Sequence, residues 1–300
     1  MMDPKLETLL AVADTLNFTQ AAKRLSMTQP AVSQHIKQLE RELGIAIFLR
    51  ENKGISLSDE GKIAVKYARR IAALYENLSR DIDDAKHSVK RLVIGVTPTA
   101  ENNIISQILA MYCSEHPDIH ITIISDTIKN LYDKLKSYEI NIAIIEGNIV
   151  DKSYHSILLD TDCLILAVGS ENPLSKKSIV TLNELKKEKL ILRLPNSGTR
   201  TLFESTLLSK SESLKSFNVI LEVDNNATIK DLVKNNFGVS IISRNACLED
   251  VKKNKFKILP IENISMIREI NIVYHHDFEH VDILNDIVEL YRATIERQNG

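Results

Sequence analysis

The 300-residue sequence predicts an α/β protein in three consecutive parts: a small helical head closed by a β-hairpin, one long helix, and a body of alternating strands and helices. Residues 18–57 carry two short amphipathic segments around a tight turn, then two short apolar runs around a polar, glycine-containing connection. Residues 59–89 contain no proline, and no glycine after Gly61, so nothing interrupts a helix there. From Arg91 onward short apolar runs alternate with helical patterns, the order of an α/β body with mainly parallel strands.

Within the head, Ala21, Ala22 and Leu25 give the first segment a small apolar face, and the two alanines let a second helix cross closely. Ser26 and Met27 form the turn, Thr28 has the side chain of an N-cap, and Pro30 falls in the first turn, where its missing N–H costs nothing. Val32, Ile36, Leu39 and Leu43 repeat at spacings of four, three and four, which stacks them for burial. Gln29, Pro30, Ser33, Gln34, Lys37 and Arg41 remain outside. A face that is small and polar at its leading end and basic further along suits a helix entering a DNA major groove. Ser33 and Gln34 would read base edges, while Lys37 and Arg41 would hold phosphates. Any solvated helix also shows a polar outer face, but the tight turn and the hairpin behind it favour DNA reading. His35 lies beside this face and, at its angle, borders the core. The hairpin over residues 44–57 reads as a wing, with Arg50 and Lys53 at its tip for the DNA backbone or an adjacent minor groove.

Along the long helix, Ala64, Tyr67, Ile71, Leu74, Leu78, Ile82 and Ala85 form a seam at spacings of three or four. Such a stripe requires a partner, from the same chain or a second copy.

Strands are predicted in the body at 92–96, 120–124, 141–145, 164–168, 190–192, 238–242 and 270–274. Ligand groups in such a body belong to strand-to-helix turns, where free N–H groups and the helix dipole favour an anion. Candidates are Thr97 and Thr99 after the first strand, Ser125 and Thr127 after the second, Glu146 at the end of the third, and the run Arg193, Ser197, Gly198, Thr199 and Arg200. The same Ser, Thr and Asp residues also favour simple helix capping. Asp126 would repel an anion and suits a cap, and Phe237 with Gly238 would close one wall.

A formal net charge of −2 is unevenly spread: residues 1–91 carry 15 Lys+Arg against 12 Asp+Glu, a balance of +3, and the remainder carries −5. The sign suits a DNA-binding head, and its small size calls for locally placed basic groups and doubled contacts. Cys113, Cys163 and Cys247 are far apart and odd in number, which fits reduced core thiols rather than a disulfide frame or zinc site. Adjacent His275 and His276 at a strand end point to opposite faces, so with His280 they make no metal site. No run of about 18 apolar residues and no secretion signal is present, giving the expectation of a cytoplasmic protein without membrane contact. A phosphate loop with lysine, a His-Glu-x-x-His pattern and a nucleophile elbow are all missing, so an enzyme is not expected.

Ala21-Ala22, Leu25, Gln29-Pro30-Ala31-Val32-Ser33, Ile36, Leu39-Glu40, Leu43-Gly44, Phe48, Arg50, Leu57 and Gly61 resemble the amino-terminal signature of LysR-type transcriptional regulators, in register across the head. Asn17 and Ser58 stand where that family often has serine and threonine, both swaps that keep capping ability. Over 91–300 the resemblance is looser. It implies an α/β fold with an N-terminal winged helix-turn-helix (1–58), a linker and dimerisation helix (59–90) and a two-lobed effector-binding domain like a periplasmic binding protein (91–300). Lobe one would hold about 91–162 and 267–300, and lobe two about 163–266. The run Ser197-Gly198-Thr199-Arg200 resembles the turn of members that sense oxyanions or small phosphorylated or carboxylated metabolites. Asn236 stands where the family often has glycine, which would alter the local backbone. The resemblance further implies a homodimer or homotetramer on an imperfect inverted repeat of double-stranded DNA, a small anionic effector bound between the two lobes that changes operator binding and DNA bending, no cofactor, an activating role and RNA polymerase as a candidate partner. The competing classes are a ligand-independent architectural DNA binder and an enzyme carrying a DNA-binding domain.

Overall fold

A computed structural model describes the chain except residues 1, 52–53, 99–103, 148–150, 152, 196 and 300, and it describes no side chain at 50, 51, 249, 298 or 299. The chain forms two compact units, Met1–Arg91 with Asp133–Ile140, and Leu92–Tyr132 with Asn141–Gly300.

In the first unit α1 (Pro4–Thr15), α2 (Phe18–Arg24) and α3 (Gln29–Leu43) precede a hairpin of β1 (Phe48–Glu51) and β2 (Gly54–Leu57), and α4 (Asp59–His87) follows. Each helix begins on a side-chain acceptor: Asp3 takes the Lys5 N–H, Asn17 those of Thr19 and Gln20, Thr28 that of Ala31, and Ser58 that of Gly61. These caps satisfy amides that a helix start leaves unpaired. Ala21 and Ala22 are buried with Leu9, Val12, Val32, Ile36, Leu39, Ile47, Val65 and Ala68, so four helices and the hairpin share one core. Each large aliphatic side chain there contributes roughly 1.5–3 kcal/mol.

Leu43, expected at the end of the buried α3 stripe, is 51% exposed. It is the last helical residue, and the chain turns at once through Gly44, whose φ of 68° is the left-handed conformation that ends helices. Gly61 is required for a different reason: a Cβ there would lie 2.1 Å from the Ile47 carbonyl oxygen, so the first turn of α4 sits directly against the hairpin's root. Along α4, Val65, Ala68 and Ala73 are buried, whereas Tyr67, Ile71, Leu74, Leu78 and Ile82 are each 46–55% exposed.

From Lys90 the chain runs β3 (Lys90–Val96), α5 (Ile105–Glu115), β4 (Ile119–Ser125), α6 (Ile128–Lys136), β5 (Ile142–Glu146), β6 (His155–Gly169), α7 (Leu182–Leu185), β7 (Lys189–Arg193) and α8 (Gly198–Ser209). It continues through β8 (Asn218–Val223), α9 (Asn226–Lys234), β9 (Val239–Ser243), α10 (Leu248–Lys252), β10 (Phe256–Leu259), β11 (Ile267–Tyr274) and α11 (Val281–Asn299). The strands follow the order β4-β3-β5-β11-β6-β9-β7-β8, with β10 also on β6.

Among the described residues three buried clusters pack against this sheet, one of them around Ala167, Ile191 and Ile242, and the other two divide it between them. One includes Leu92, Ile94, Ile108, Ile142, Ile272 and Ile287. The other includes Leu166, Leu190, Phe203, Leu207, Val239 and Ile241. The chain passes from the first to the second inside β6, whose 155–163 half pairs with β11 and whose 164–167 stretch pairs with β9. It returns at the start of β11, where the Leu164 N–H donates to the Met266 carbonyl at 2.9 Å.

The expectation of mainly parallel strands is corrected by these crossings. β3–β5, β7–β8 and β7–β9 are parallel, but β5–β11, β11–β6, β6–β9 and β10–β6 are antiparallel. A strand that leaves one core and a strand that returns to it must run in opposite directions. The first half of β6, β8 and β10 were not among the predicted strands, although Ile157-Leu158-Leu159 and Val219-Ile220-Leu221 are apolar runs as long as that of β7. β6 begins with polar residues, and β8 is an outer strand with four of its six residues exposed. Asn236 takes a φ of 57°, the left-handed conformation that asparagine tolerates, so it supplies the backbone a glycine would have supplied.

Candidate DNA-reading face and effector site

On α3, Gln29, Pro30, Gln34, Lys37 and Arg41 are exposed and Ser33 is partly exposed, opposite buried Val32, Ile36 and Leu39. The Thr28 cap and Pro30 set the leading end of this helix, so its polar residues project beyond a packed base. Lys37 and Arg41, with Glu40, Gly44, Ile45 and Ala46, line a concavity of about 510 Å³. Glu40 Oε1 accepts the N–H groups of Ile47 (2.8 Å) and Phe48 (3.3 Å), which fixes the hairpin's entry relative to α3. His35 Nδ1 lies 2.8 Å from Thr8 Oγ1 on α1, so the ring borders the core. Arg50 pairs through its backbone with Ile55. Its side chain, and Lys53 altogether, lie outside the described residues.

In the second unit, residues from distant parts of the chain converge where β6 and β11 cross between the cores. The Thr97 hydroxyl, just past β3, donates to Glu146 Oε2 at 2.9 Å. Arg268, on β11, reaches Glu146 Oε1 at 3.2 Å and Asp162 Oδ2 at 2.8 Å. Its Nη1 donates to Thr199 Oγ1 at 3.5 Å, and Asp162 Oδ1 accepts the Asn245 N–H at 3.2 Å. Thr97, Glu146, Asp162, Thr199 and Arg268 are all buried. Each charge therefore needs the partners it has, since an unpaired buried charge is costly.

Next to this network Arg193, at the end of β7, donates from Nη1 to Asn226 Oδ1 at 3.0 Å. Its Nε and the Asn226 Nδ2 are buried and have no hydrogen-bond partner among the described residues. Burial pushes the Glu146 carboxyl up, against the pull of Arg268 and the Thr97 hydroxyl. Burial also lowers Arg193, while Asp224 and Glu146 act to raise it. Glu146 and Arg193 thus feel each other's charge.

Of the candidates named from sequence, Thr97, Glu146, Arg193 and Thr199 meet here. Ser197 caps α8, its Oγ accepting the Arg200 N–H at 3.2 Å, and Gly198 opens that helix. Arg200 does not offer its charge to the site: its guanidinium pairs with Glu204 (2.5 Å) and Glu222 (3.1 Å) and donates to the Arg193 carbonyl. Ser125 and Thr127 are exposed, and Thr127 Oγ1 takes the Asn130 N–H at 3.3 Å as a cap. Asp126 also caps, accepting from the Thr127 N–H and Asn130 Nδ2. Thr99 lies outside the described residues. Phe237 is 59% exposed.

Asp162, Arg268 and Asn226 were not predicted. Asp162 and Arg268 lie at the edges of apolar runs beside a second charge, Asp160 and Glu269, so neither stands out in the sequence, while Asn226 follows Asn225, which carries the visible capping role.

Residues 4–62 match the model of the bacterial regulatory helix-turn-helix protein, lysR family, and residues 85–295 match that of the LysR substrate binding domain. A probable RuBisCO transcriptional regulator of Trieres chinensis is 30% identical over 275 residues, covering 90% of this chain and 89% of that protein. The HTH-type transcriptional regulator CysL of Bacillus subtilis is 26% identical over 294 residues, 98% of this chain and 97% of that one. Among solved structures, CbnR, a LysR family transcriptional regulator, superimposes with a TM-score of 0.70 at 18% identity, covering 98% of this chain and 99% of that one. Full-length CbnR complexed with its target DNA gives the same TM-score of 0.70 at 19% identity, with the same coverage of 98% and 99%. A DNA-binding head and an effector-binding body follow one another here in the order of the two matching models, and the chain belongs to the LysR family of transcriptional regulators.

Proposed function

We propose that this regulator acts in the cytoplasm as a homodimer or homotetramer on an imperfect inverted repeat, activates transcription through RNA polymerase, and changes the bend of its DNA when a small effector binds in the second unit. Ser33 and Gln34 read base edges, Gln29 and Pro30 lead the helix into the groove, and Lys37, Arg41, Arg50 and Lys53 hold backbone. The exposed stripe Tyr67, Ile71, Leu74, Leu78 and Ile82 supplies the seam to a second copy. Domain limits of 1–58, 59–90 and 91–300 suit this division, with lobes of about 91–162 plus 267–300 and about 163–266.

The observation that carries the effector reading is the buried network of Thr97, Glu146, Arg268, Asp162 and Thr199, which links the two cores at the places where the chain crosses between them. A ligand that competes for these partners alters how the lobes close, since paired crossings are where hinge motion is absorbed. Thr97, Ser197, Thr199 and Arg193 are its contacts.

Footprinting and in vitro transcription with the full-length protein, with and without candidate small molecules, test this. Equal footprints and equal transcription across all of them would overturn the effector reading. Gln34→Ala is expected to relax sequence choice by roughly 1–3 kcal/mol and Lys37→Ala to reduce the salt slope by about one. Equal losses on every sequence would refute that division of roles.

A further inference from the structure

We propose that the effector is a small zwitterion, an α-amino acid or similar amino-carboxylate, held with its ammonium against Glu146 and its carboxylate against Arg193 and Asn226. The assignment rests on the effector reading above and adds the ligand's chemistry.

The buried groups on the two sides of the crossing have opposite hydrogen-bonding character. On the side of β3 and β5, the Thr97 proton is already given to Glu146, so Thr97 Oγ1 and the Glu146 carboxylate offer lone pairs and no donor. On the side of β7 and α9, the buried side-chain groups without a partner among the described residues are both donors, Arg193 Nε and Asn226 Nδ2. Arg193 and Asn226 are buried to 5% and 1% exposure, so neither donor can turn to bulk water. The Arg193–Asn226 hydrogen bond of 3.0 Å uses the amide oxygen as acceptor and so turns the amide's Nδ2 away from the guanidinium.

Charge leads to the same class. Glu146 and Asp162 are balanced by Arg193 and Arg268 within the buried group, with exposed Asp224 as a further acidic neighbour of Arg193. A zwitterion leaves this balance untouched. A sulfate or phosphate would bring up to two uncompensated negative charges beside the Glu146 carboxylate, the arrangement that buried sites avoid. The ligand therefore needs one acceptor-rich anionic end and one cationic donor end.

Thermal unfolding and calorimetric titration of the full-length protein test the proposal with the common L-α-amino acids, the des-amino carboxylate of each, sodium sulfate and sodium phosphate as probes. At least one amino acid is expected to stabilise the protein while its des-amino counterpart does not. Glu146→Gln, which keeps the side chain's shape, should weaken that amino acid about tenfold or more, as for a lost charge-assisted hydrogen bond. Asn226→Asp retains the acceptor for Arg193 and places a negative group against the ligand's carboxylate, so it should abolish binding without unfolding the protein. If sulfate, phosphate or the des-amino acids stabilise as well as the amino acids do, the zwitterion assignment is overturned and an anionic effector stands. Absence of any shift across all probes overturns both.

Discussion

Arg268→Met tests whether the buried network carries stability as well as shape. The substitution removes the guanidinium that holds Asp162 Oδ2 at 2.8 Å and Glu146 Oε1 at 3.2 Å, and it leaves carboxylate side chains only 1% and 4% exposed. Breaking a buried ion pair from one side costs about 3–5 kcal/mol, because the partner's charge stays buried without compensation. In a unit of this size that corresponds to a fall in Tm of roughly 6–20 °C. The cost should depend on pH with a defined sign. Burial raises the Glu146 carboxyl above its ordinary 4.5, Asp162 on β6 adds to the rise, and Arg268, Thr97 and Arg193 oppose it. A carboxyl raised by folding takes up protons as the chain folds, so its contribution to stability falls as pH rises from 4.5 through the folded value. Removing Arg268 removes an opposing influence and moves this window upward. Urea unfolding of both proteins at about pH 5 and about pH 8 should therefore show the larger loss at the higher pH. Adding Glu146→Gln and Asp162→Asn should recover part of the loss by removing the charges left unpaired. A loss below about 1 kcal/mol, within the range of an exposed pair, or one independent of pH, would refute the reasoning.

Other substitutions address the first unit. Glu40→Ala removes the acceptor shared by the Ile47 and Phe48 amides and should cost about 1–3 kcal/mol in urea unfolding, whereas Glu40→Gln keeps an acceptor and most of the stability. Gly61→Ala forces a methyl group against the Ile47 carbonyl and should cost about 1–3 kcal/mol, with weaker DNA binding because the wing must shift; wild-type stability and affinity would disprove the close approach. Leu78→Glu places a charge in the exposed α4 stripe and should lower the mass seen by sedimentation at micromolar concentration, while an unchanged mass would exclude this stripe from the seam.

The head was legible because its signals are local. Asn17, Thr28 and Ser58 bond to amides two or three residues away, and Ala21, Ala22, Val32, Ile36 and Leu39 bury along one periodicity. Leu43 broke the pattern only where the helix stopped. Capping signals in the body were equally visible: Thr127 and Ser197 each accept an N–H three residues on, and that local chemistry is the same whether or not a ligand is near.

By itself the sequence determined the order of parts, the helix-turn-helix with its hairpin, the unbroken α4 and most core strands, because backbone hydrogen bonding and apolar periodicity act over a few neighbouring residues. Only the tertiary structure decided which charged groups meet. Arg268 and Asp162 are 106 residues apart and pair because β11 returns beside β6. Arg200 pairs with Glu222 on β8, 22 residues further along the chain, because β8 lies beside β7 in the sheet. Ion pairs of this kind are set by the distance between side chains in the folded sheet, and residue spacing along the chain carries no record of it.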